Sequence, residues 1–369
     1  MRRRDFLTGA AAGAALLAGC NEEAETATTT DTATPTSDPS YTVSMVPVGE
    51  VTFDGVPETW VANNGSWADM GIALGQVPPK GVWLTSRYHT QYYDPIPGVS
   101  VDKGDMVSLS QSGSVSKELF YSLDADLHTI DPNFLMNRFK GWEQADIDDV
   151  REDAGPFFGN SSFSTGYPWH EEYRYYSMME AFEKLAAVFR ERERYEAFES
   201  VHEQFRTNLA PVVPGRSERP SAAVVWGGGD EPEQFYPYTI GSGTSFKHLR
   251  DLKLRDALAN SNVRDFHTSR GAVDYETLVK VDPDVLLVRG QEGKSAAEFE
   301  EAVVQFMRDH DVASELTAVA NGDVHRAGGL YQGPITNLVV TERLADDLYD
   351  SDADLFDRQR VSDIVNGDL

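Results

Sequence analysis

The sequence predicts an α/β protein made of two lobes with parallel-rich sheets. Residues 285–288 form a continuous run of Val and Leu, which is typical of a strand buried on both faces. A short helical segment precedes this run and ends before Pro283, because proline disfavours helical geometry at the residue before it. The same helix–strand unit occurs earlier in the chain, and 369 residues are enough for two separate cores.

The repeated unit spans residues 113–130 and 271–290. Four positions match between the two copies: Gly113 with Gly271, Glu118 with Glu276, Asp124 with Asp282, and Asp126 with Asp284. The copies lie too far apart for the period of a solenoid. We interpret them as corresponding parts of two lobes of like topology; the alternative is a chance similarity between two αβ units.

These motifs resemble a known family. A Gly, a Glu five residues later, two hydrophobic residues, a Pro-Asp pair and an aliphatic strand are similar to the pattern of periplasmic binding proteins for ferric siderophores, heme and cobalamin. The second copy, with Pro283 and Asp284, is the more specific, whereas Ala125 stands where the family usually has Pro. The similarity covers about residues 43–348.

This resemblance implies a fold and a function. It implies two Rossmann-like lobes joined by one long helix, with a ligand cleft between the lobes at the carboxyl ends of the strands. It further implies the substrate-binding component of an ABC importer, whose partners are a small-molecule metal chelate and a permease dimer with its ATPase. We predict a monomer that needs no cofactor.

The composition is strongly acidic. The net charge is −28, from 60 acidic and 32 basic residues, which makes binding to nucleic acid or to an anionic membrane unfavourable. Acidic residues spread through the whole sequence indicate a halophilic protein, because salt screens their mutual repulsion; the alternative is an ordinary acidic protein. Cys20 is the single cysteine, so no disulfide can form within the chain. Eight scattered histidines predict no zinc site.

Residues 1–19 predict a signal peptide of the twin-arginine, lipoprotein type. Arg3 and Arg4 precede an apolar run, residues 10–18, that is too short to span a bilayer. Residues 17–20 resemble a lipobox, which implies that Cys20 is lipidated and becomes the mature N-terminus. We therefore predict an extracytoplasmic protein anchored to the cell membrane by lipid; the alternative is a frayed N-terminal helix.

Residues 20–41 predict a disordered tether behind that anchor. Residues 21–40 contain no apolar residue larger than Ala, so they cannot bury enough surface to offset the entropy of ordering.

The first lobe is assigned to residues 42–170. In order, the pattern predicts a hairpin at 41–56, a strand at 59–62, a helix at 67–74 ended by Gly75, and a strand at 82–85. After the first copy of the repeated unit come a strand-end loop at 131–134 and an irregular region at 141–170, which contains many turn signals.

Two amphipathic helices follow, at residues 171–190 and 193–209. The resemblance implies that one of them joins the lobes as a rigid strut, and we favour the first, assigned to 171–192. A single crossing between the lobes predicts that closure over a ligand is small.

The second lobe is assigned to residues 193–369. The pattern predicts a strand at 222–226, a loop through 235–238, a helix at 245–260, a helix at 291–311, a strand at 323–326 and a final helix at 334–349. The glycines at 227–229 do not form a phosphate-binding loop, since no Gly-Lys-Ser/Thr follows and no glycine pattern opens a helix.

Aromatic residues follow several of the predicted strands, where the ligand crevice of an α/β fold lies. The candidate ligand residues are Trp67, Tyr88, His89, Tyr92, Tyr93, Arg138 and Phe157 in the first lobe, and Trp226, Tyr236, Tyr238 and Arg289 in the second. Flat aromatic faces suit a bulky chelate with apolar surface; the alternative is packing under a loop. A highly anionic catecholate complex needs several cations that converge on it. The candidates for this role are few, namely Arg87, Arg138, Arg270 and Arg289.

We therefore favour a ferric hydroxamate-type siderophore, ahead of cobalamin and then heme. The resemblance implies that Glu118 and Glu276, one in each lobe, dock the permease; the alternative is a favourable charge at a helix N-terminus. Hydroxamate-binding relatives have an Arg just before the first of these glutamates, and residues 110–117 contain none.

No catalytic constellation is evident, so we predict that the protein is not an enzyme. There is no nucleophile elbow, and Ser112 and Ser242, each flanked by Gly, have no base that the sequence can place. The alternative of another class is a secreted hydrolase or lyase on the same α/β fold.

Overall fold

The computed structural model describes residues 40–369. The predicted signal peptide, Cys20 and almost all of the predicted tether lie outside these described residues. Tyr41, which we had placed at the end of the tether, instead begins the first strand. Within the described residues, no helix has both the length and the apolar character needed to cross a membrane.

An antiparallel hairpin opens the described chain, as predicted. It consists of β1 (Tyr41–Met45) and β2 (Gly49–Phe53), paired from Tyr41 with Phe53 to Met45 with Gly49. Its inner side chains are buried, and the hydroxyl of Tyr41 donates to the carbonyl of Val188. The hairpin is thereby held against the first of the two long central helices.

The first lobe is built on a parallel sheet of four short strands. These are β3 (Trp60–Ala62), β4 (Gly81–Val82), β5 (Val107–Ser108) and β6 (Leu127–Thr129), in the order β5-β4-β3-β6. The central strand β3 is buried along its whole length, as expected for a strand covered on both faces. Its helices are α1 (Gly65–Ala73), α2 (Lys117–Leu123), α3 (Pro132–Arg138) and α4 (Gln144–Asp153).

The second lobe is built on a mixed sheet. Its strands are β7 (Ser221–Trp226), β8 (Tyr236–Tyr238), β9 (Arg255–Asp256), β10 (Val285–Arg289) and β11 (Val324–Arg326). The order is β11-β10-β7-β8, with β9 also pairing with β7, and only the β7–β8 pair is antiparallel. Two parallel-rich sheets confirm the predicted fold class.

Helices surround this second sheet. They are α7 (Lys247–Asp251), α8 (Phe266–Ser269), α9 (Tyr275–Val281), α10 (Ala296–Phe299), α11 (Gln305–Asp309), α12 (Thr317–Asn321), α13 (Pro334–Tyr349) and α14 (Arg358–Asn366). A π-helical turn, Glu300–Val304, links α10 to α11.

The repeated sequence unit is a repeated structure. Helices α2 and α9 both end at an aspartate in the left-handed conformation, Asp124 at φ 45° and Asp282 at φ 44°. In the first lobe, Asp126 Oδ2 accepts the backbone amide of Thr59 at 2.8 Å, and Asp126 N donates to the Thr59 hydroxyl at 3.2 Å. Ser221 and Asp284 make the same reciprocal pair in the second lobe, at 2.7 and 3.3 Å. The two lobes therefore share a local device that aligns neighbouring strands, which argues against chance similarity.

The chain passes from the first sheet to the second through α5 (Met178–Phe189) and α6 (Arg192–Leu209). The first of these begins seven residues later than predicted, because Ser177 and Glu180 form a capping box there. Arg190, at φ 56°, ends it. The choice of 171–192 as the interlobe helix, and the lobe boundaries at 170 and 193, stay predictions.

Several other elements differ from the sequence-based expectation. The predicted loop at 131–134 begins α3, because Asp131 caps a helix whose first residue is a proline. The irregular region contains α4, and the loop at 235–238 contains β8. The helix predicted for 245–260 stops at Asp251, since Lys253 adopts φ 57° and β9 follows. The helix at 334–349 is found as predicted, but α14 comes after it.

Candidate functional site

The loops at the carboxyl ends of the two sheets meet where the lobes touch. In the first lobe they follow β3, β4 and β6; in the second they follow β7, β10 and β11. Parallel strands place their carboxyl ends along one edge, which is where an α/β fold collects its ligand residues. Four of the eleven predicted ligand residues, Tyr88, His89, Tyr92 and Tyr93, lie in the loop after β4, and Trp226 and Arg289 are the last residues of β7 and β10.

The segment after β4 forms two short 3₁₀ turns, Thr85–Arg87 and Thr90–Tyr93. These turns bury the side chains of Tyr88, Tyr92 and Tyr93, and the hydroxyls of Tyr88 and Tyr93 lie 2.8 Å apart. Trp67, on α1, is buried in the same apolar cluster. These predicted ligand residues therefore also build the core beneath the contact between the lobes.

Asp69 links the first lobe to the start of α13. It is fully buried, and its Oδ2 accepts the backbone amides of Ile335 at 3.0 Å and Thr336 at 3.1 Å, as well as the Thr336 hydroxyl. A carboxylate at a helix N-terminus satisfies amides that have no partner within the helix. Burial nevertheless raises the pKa of Asp69 to about 6.

Glu292, just after β10, is a second buried carboxylate at this contact. Its carboxylate accepts the amide of Gly328 at 2.7 Å, an Nη1 hydrogen of Arg343 at 3.1 Å, and the hydroxyl of Tyr92 from the first lobe. Burial favours a raised pKa for Glu292, but the charge of Arg343 prevails and lowers the pKa to about 2. Glu292 therefore remains ionised and holds Tyr92 against the second lobe.

His89 and Gln91 lie on the same segment. Gln91 Nε2 donates to the backbone carbonyl of Glu292 at 2.6 Å, which adds another bond between the lobes. The imidazole of His89 lies edge-on to Tyr92, and burial lowers its pKa. His89 is therefore placed at the contact as a neutral side chain.

Trp226 ends β7 and faces the first lobe. The guanidinium of Arg87 lies 4.5 Å from the centroid of the Trp226 ring, within the range of a cation–π contact. Gly290 packs under the indole at φ 89°, and a Cβ there would come within 2.9 Å of the ring. Glycine is thus required at the end of β10 for Trp226 to hold this position.

Arg289 is the last residue of β10 and is fully buried. Its guanidinium lies 4.4 Å from the Phe246 ring and 5.5 Å from the Tyr238 ring, and Nη2 donates to the carbonyl of Ser245. Nε and Nη1 have no hydrogen-bond partner among the described residues. Burial lowers the pKa of Arg289 to about 10, so the side chain stays charged at neutral pH.

Tyr236 and Tyr238, on β8, pack against Phe266 of α8 at ring distances of 4.9 and 5.7 Å. Next to Phe266, His267 contacts the first lobe: its Nε2 lies 2.9 Å from the Ser164 hydroxyl and its Nδ1 3.0 Å from Asp265 Oδ1. Ser164, Asp265 and His267 line a cavity of about 210 Å³. This Ser–His–Asp chain could not be predicted from the sequence, because Ser164 and His267 are far apart along it.

Arg138 and Arg270 are exposed at the rim, and both of their charges act on Tyr167. The ring of Tyr167 stacks on Trp169 at 4.4 Å. Burial raises the pKa of Tyr167 to about 12, so its hydroxyl keeps its proton at neutral pH. Arg138 lies at the end of α3 and is thereby brought towards the second lobe's Arg270.

Phe157 is not among the residues gathered at the contact. It is fully buried in the first lobe, with ring distances of 6.1 Å to Phe120 and 5.2 Å to His128. Sequence reasoning also missed several residues of the contact. These are Asp69, Ser164, Tyr167, His267, Glu292, Tyr331 and Arg343.

The two predicted permease contacts lie on the repeated helices. Glu118, in the first turn of α2, and Glu276, in the first turn of α9, are both exposed, one in each lobe. Glu118 accepts the hydroxyl of Ser116 at 2.6 Å, and this bond lowers its pKa. The role of the two glutamates as permease contacts stays a prediction.

Nothing in residues 40–369 groups three or more His, Cys, Asp or Glu side chains into a metal-binding cluster.

A protein-family model described as "Periplasmic binding protein" matches residues 61–329. No curated protein sequence matches the chain. Among solved structures, the iron-uptake substrate-binding protein PiuA of Streptococcus pneumoniae is 18% identical, with a TM-score of 0.53 over 83% of this chain and 96% of that one.

Two further structures have the same fold. The catecholate-siderophore binding protein VctP of Vibrio cholerae is 17% identical, with a TM-score of 0.55 over 85% of this chain and 100% of that one. The siderophore-binding protein FhuD of Vibrio cholerae, bound to Fe³⁺-Desferal, is 15% identical, with a TM-score of 0.52 over 81% and 99%. At these identities the similarity shows the fold.

Proposed function

The chain belongs to the periplasmic binding protein family, and from this premise we propose that it is the extracytoplasmic substrate-binding component of an ABC importer that carries a ferric chelate. The observation that carries the proposal is the convergence of aromatic and charged side chains from both lobes. Arg87, Trp226 and Arg289 meet there, and the two arginines pack on aromatic rings. A bulky chelate needs this combination of flat faces and oriented donors.

Iron enters this proposal as cargo and not as a resident cofactor. The chelator supplies its own oxygen ligands, so the protein needs only to recognise the outside of the complex. From sequence we favoured a hydroxamate-type siderophore, with cobalamin and heme as alternatives, and all three present extended surfaces to aromatic side chains. The solved structures of similar fold include proteins named for catecholate-siderophore binding and for a bound Desferal complex.

Native mass spectrometry of the protein purified from its own host under iron limitation tests the proposal. We expect a bound species whose mass and isotope pattern include one iron atom with an organic chelator other than a porphyrin. A bound cobalamin or heme would contradict the iron-chelate proposal while keeping the class of protein. Release of the species by acid would give the free chelator for identification.

The proposal includes a lipid anchor at Cys20. One lipidated residue would be the attachment to the membrane, so Cys20→Ala should release the mature protein into the medium. Changing Arg3 and Arg4 to Lys should instead leave the precursor inside the cell. The check is immunoblotting of membrane, medium and cytoplasmic fractions. A Cys20→Ala protein that stays with the membrane would contradict the anchor.

Hydrolysis is the second candidate function, and one contact favours it. Ser164, His267 and Asp265 form a hydrogen-bonded chain beside a cavity of about 210 Å³, and such triads are recognised by geometry. In this reading Ser164 Oγ would attack an ester carbonyl while His267 Nε2 takes its proton. A fluorophosphonate probe tests it: labelling that Ser164→Ala removes and Ser162→Ala keeps would support hydrolysis. If the probe does not label the protein and the bound ligand is recovered chemically unchanged, the result supports a binding protein.

A further inference from the structure

Four arginines lie at the contact between the lobes without carboxylate partners: Arg87, Arg138, Arg270 and Arg289. None of the four forms an ion pair within the described chain, although the sequence holds 60 acidic residues against 32 basic ones. At the same contact Arg343 does pair, with Glu292 at 3.1 Å, whereas half-buried Arg250 and Arg326 donate to backbone carbonyls. In so acidic a protein, a lack of available carboxylates does not explain four unpaired arginines in one region.

Three of the guanidinium groups lie on aromatic rings at this contact: Arg87 is 4.5 Å from Trp226, Arg270 5.2 Å from Phe266 and Arg289 5.5 Å from Tyr238. All four charges act on tyrosines of the same region. Arg138 and Arg270 act on Tyr167, and Arg87 acts on Tyr331. Tyr238 is influenced by three of them, Arg289, Arg87 and Arg270. Because two of these arginines come from the first lobe and two from the second, the cluster exists only where the lobes meet.

Of the four arginines, Arg289 has the largest free-energy cost of burying its charge. Its guanidinium is fully buried, its one hydrogen bond is to a backbone carbonyl, and two of its nitrogens have no partner in the described structure. The carboxylates of Glu292 and Asp265 are near enough to favour its charge, but neither bonds to it, so its lost hydration is only partly offset. A ligand that brings negatively charged oxygens to Nε and Nη1 would remove this penalty.

The four arginines differ in solvent exposure, which decreases from the edge of the contact to its interior. Arg138 and Arg270 are exposed, Arg87 is half-buried, and Arg289 is fully buried. Exposed cations attract an anion over a distance that salt shortens to about 3 Å near 1 M, whereas a buried guanidinium is little screened. The rim therefore steers the ligand at low salt, and Arg289 holds it at any salt concentration.

We propose that this arginine cluster recognises the anionic oxygen donors of the chelate, so that the ligand is a negatively charged ferric complex of the catecholate or carboxylate class. The inference rests on the proposed function and specifies its ligand. It differs from the hydroxamate preference drawn from the sequence, which judged these same four arginines too few for a highly anionic complex. Planar guanidinium groups suit such oxygens, because each can donate two parallel hydrogen bonds.

The cavity beside the cluster, about 210 Å³, is smaller than a hexadentate chelate needs. Phe246, which lies under the Arg289 guanidinium, is one of its walls. The cluster can therefore take a whole chelate only if the contact between the lobes opens. The contact of Arg87 with Trp226 is the one that the ligand would replace.

Calorimetric titration with gallium complexes tests the proposal, since Ga³⁺ replaces Fe³⁺ without redox chemistry. The probes are gallium complexes of a synthetic tris-catecholate, of citrate and of desferrioxamine. We expect at least one of the two anionic complexes to bind at least tenfold more tightly than the desferrioxamine complex. The tighter of the tris-catecholate and citrate complexes identifies the source of the anionic oxygens.

Three variants assign the effect to the cluster. Arg289→Gln should weaken binding of the anionic complex by roughly 30-fold or more, as expected when one partner of a buried charge pair is removed. Arg216→Gln, at an exposed position in the turn before β7, should leave the affinity unchanged. Arg289→Lys keeps the charge but not the two-pronged donor, and should recover only part of the loss.

The outcomes separate this inference from the proposed function. Tight binding of the desferrioxamine complex with no response to either anionic complex would overturn the inference and keep the function. No response to any of the three complexes would count against the function itself. If Arg289→Gln fails to fold by circular dichroism, the exposed double variant Arg138→Gln, Arg270→Gln decides: weaker binding at low salt supports the cluster, and unchanged affinity overturns it.

Discussion

At the scale of single residues, Asp69 has the most consequential environment. It is a fully buried carboxylate that accepts backbone amides at the start of α13. Burial raises its pKa from 3.8 to about 6. Because the folded state holds this proton more tightly than the unfolded chain, stability contributed by Asp69 is lost as the pH rises from about 4 to about 6.

Asp69→Asn should remove this dependence on pH. The amide oxygen can still accept the Ile335 and Thr336 amides, and no charge is buried. A shift of about two pKa units corresponds to about 3 kcal/mol, so the variant should gain up to that amount relative to the natural protein between pH 4 and pH 7. Urea unfolding at fixed salt measures the difference at each pH. A constant difference across this range would contradict the assignment.

Little of this environment can be predicted from the sequence. The position of Tyr88, Tyr92 and Trp226 at the contact can be predicted, because aromatic residues at strand ends have a local pattern; their role in binding a ligand stays a prediction. Asp69 leaves one signal only, since it is the single charged residue in an otherwise apolar helix. Its partner helix lies more than 260 residues further along the chain, and Ser164 with His267 likewise require the tertiary fold.

At the scale of elements, the reciprocal Asp–hydroxyl pairs hold the start of each central strand. Asp126 accepts hydrogen bonds from Thr59, just before β3, and Asp284 accepts them from Ser221, the first residue of β7. The aspartates occupy equivalent positions in the repeated unit, which the sequence does predict. The repeat predicts a pair of equivalent positions, but their hydrogen-bonding partners lie 67 and 63 residues away.

Asp126→Ala and Asp284→Ala should destabilise the protein by similar amounts, about 1–3 kcal/mol each, because each leaves a backbone amide and a hydroxyl without their acceptor. Chemical unfolding monitored by circular dichroism measures the loss. Asp368→Ala, at the exposed C-terminal end, is the matched control and should change stability by less than about 0.5 kcal/mol. If one variant is destabilised and the other is not, the two pairs are not equivalent.

Element boundaries are predicted best where a local cap fixes them. The pattern places α13 at its observed bounds, since Pro334 opens it. It overextends the helix that follows β8, because β9 pairs with β7 and no local residue announces that pairing. The predicted loop containing Tyr236 and Tyr238 became β8 for the same reason: an antiparallel partner decides it.

At the scale of the whole molecule, we predict that Glu118 and Glu276, one exposed on each lobe, dock a permease. Glu→Arg at either position should abolish uptake of labelled chelate by cells and leave the affinity of the purified protein unchanged. The reason is that arginines of a permease would meet a like charge. Lys280→Glu, at an exposed position on the same helix as Glu276, controls for a general change of surface charge. Lost affinity with intact uptake would reverse the assignment.

The net charge of −28 predicts a salt-dependent fold. Repulsion among exposed carboxylates is screened over about 3 Å at 1 M salt but over about 10 Å at 0.1 M. Thermal unfolding followed at decreasing NaCl should therefore show a falling midpoint, and the same series with a neutral osmolyte in place of salt should not restore it. A midpoint independent of NaCl would identify an ordinary acidic protein.

The contacts that cross between the lobes are unequal in strength. We therefore expect the weaker contacts to break first when the lobes separate. Asp69 holds α13 through three enclosed hydrogen bonds, and Glu292 is clamped by Arg343 and Tyr92. Ser164 and His267 share one hydrogen bond beside a cavity. When a permease pulls the lobes apart, the Ser164 contact should part first, with the start of α13 serving as the pivot. Cargo would then leave through the side that parts first, past Arg138 and Arg270, by a tilt of one lobe on the other.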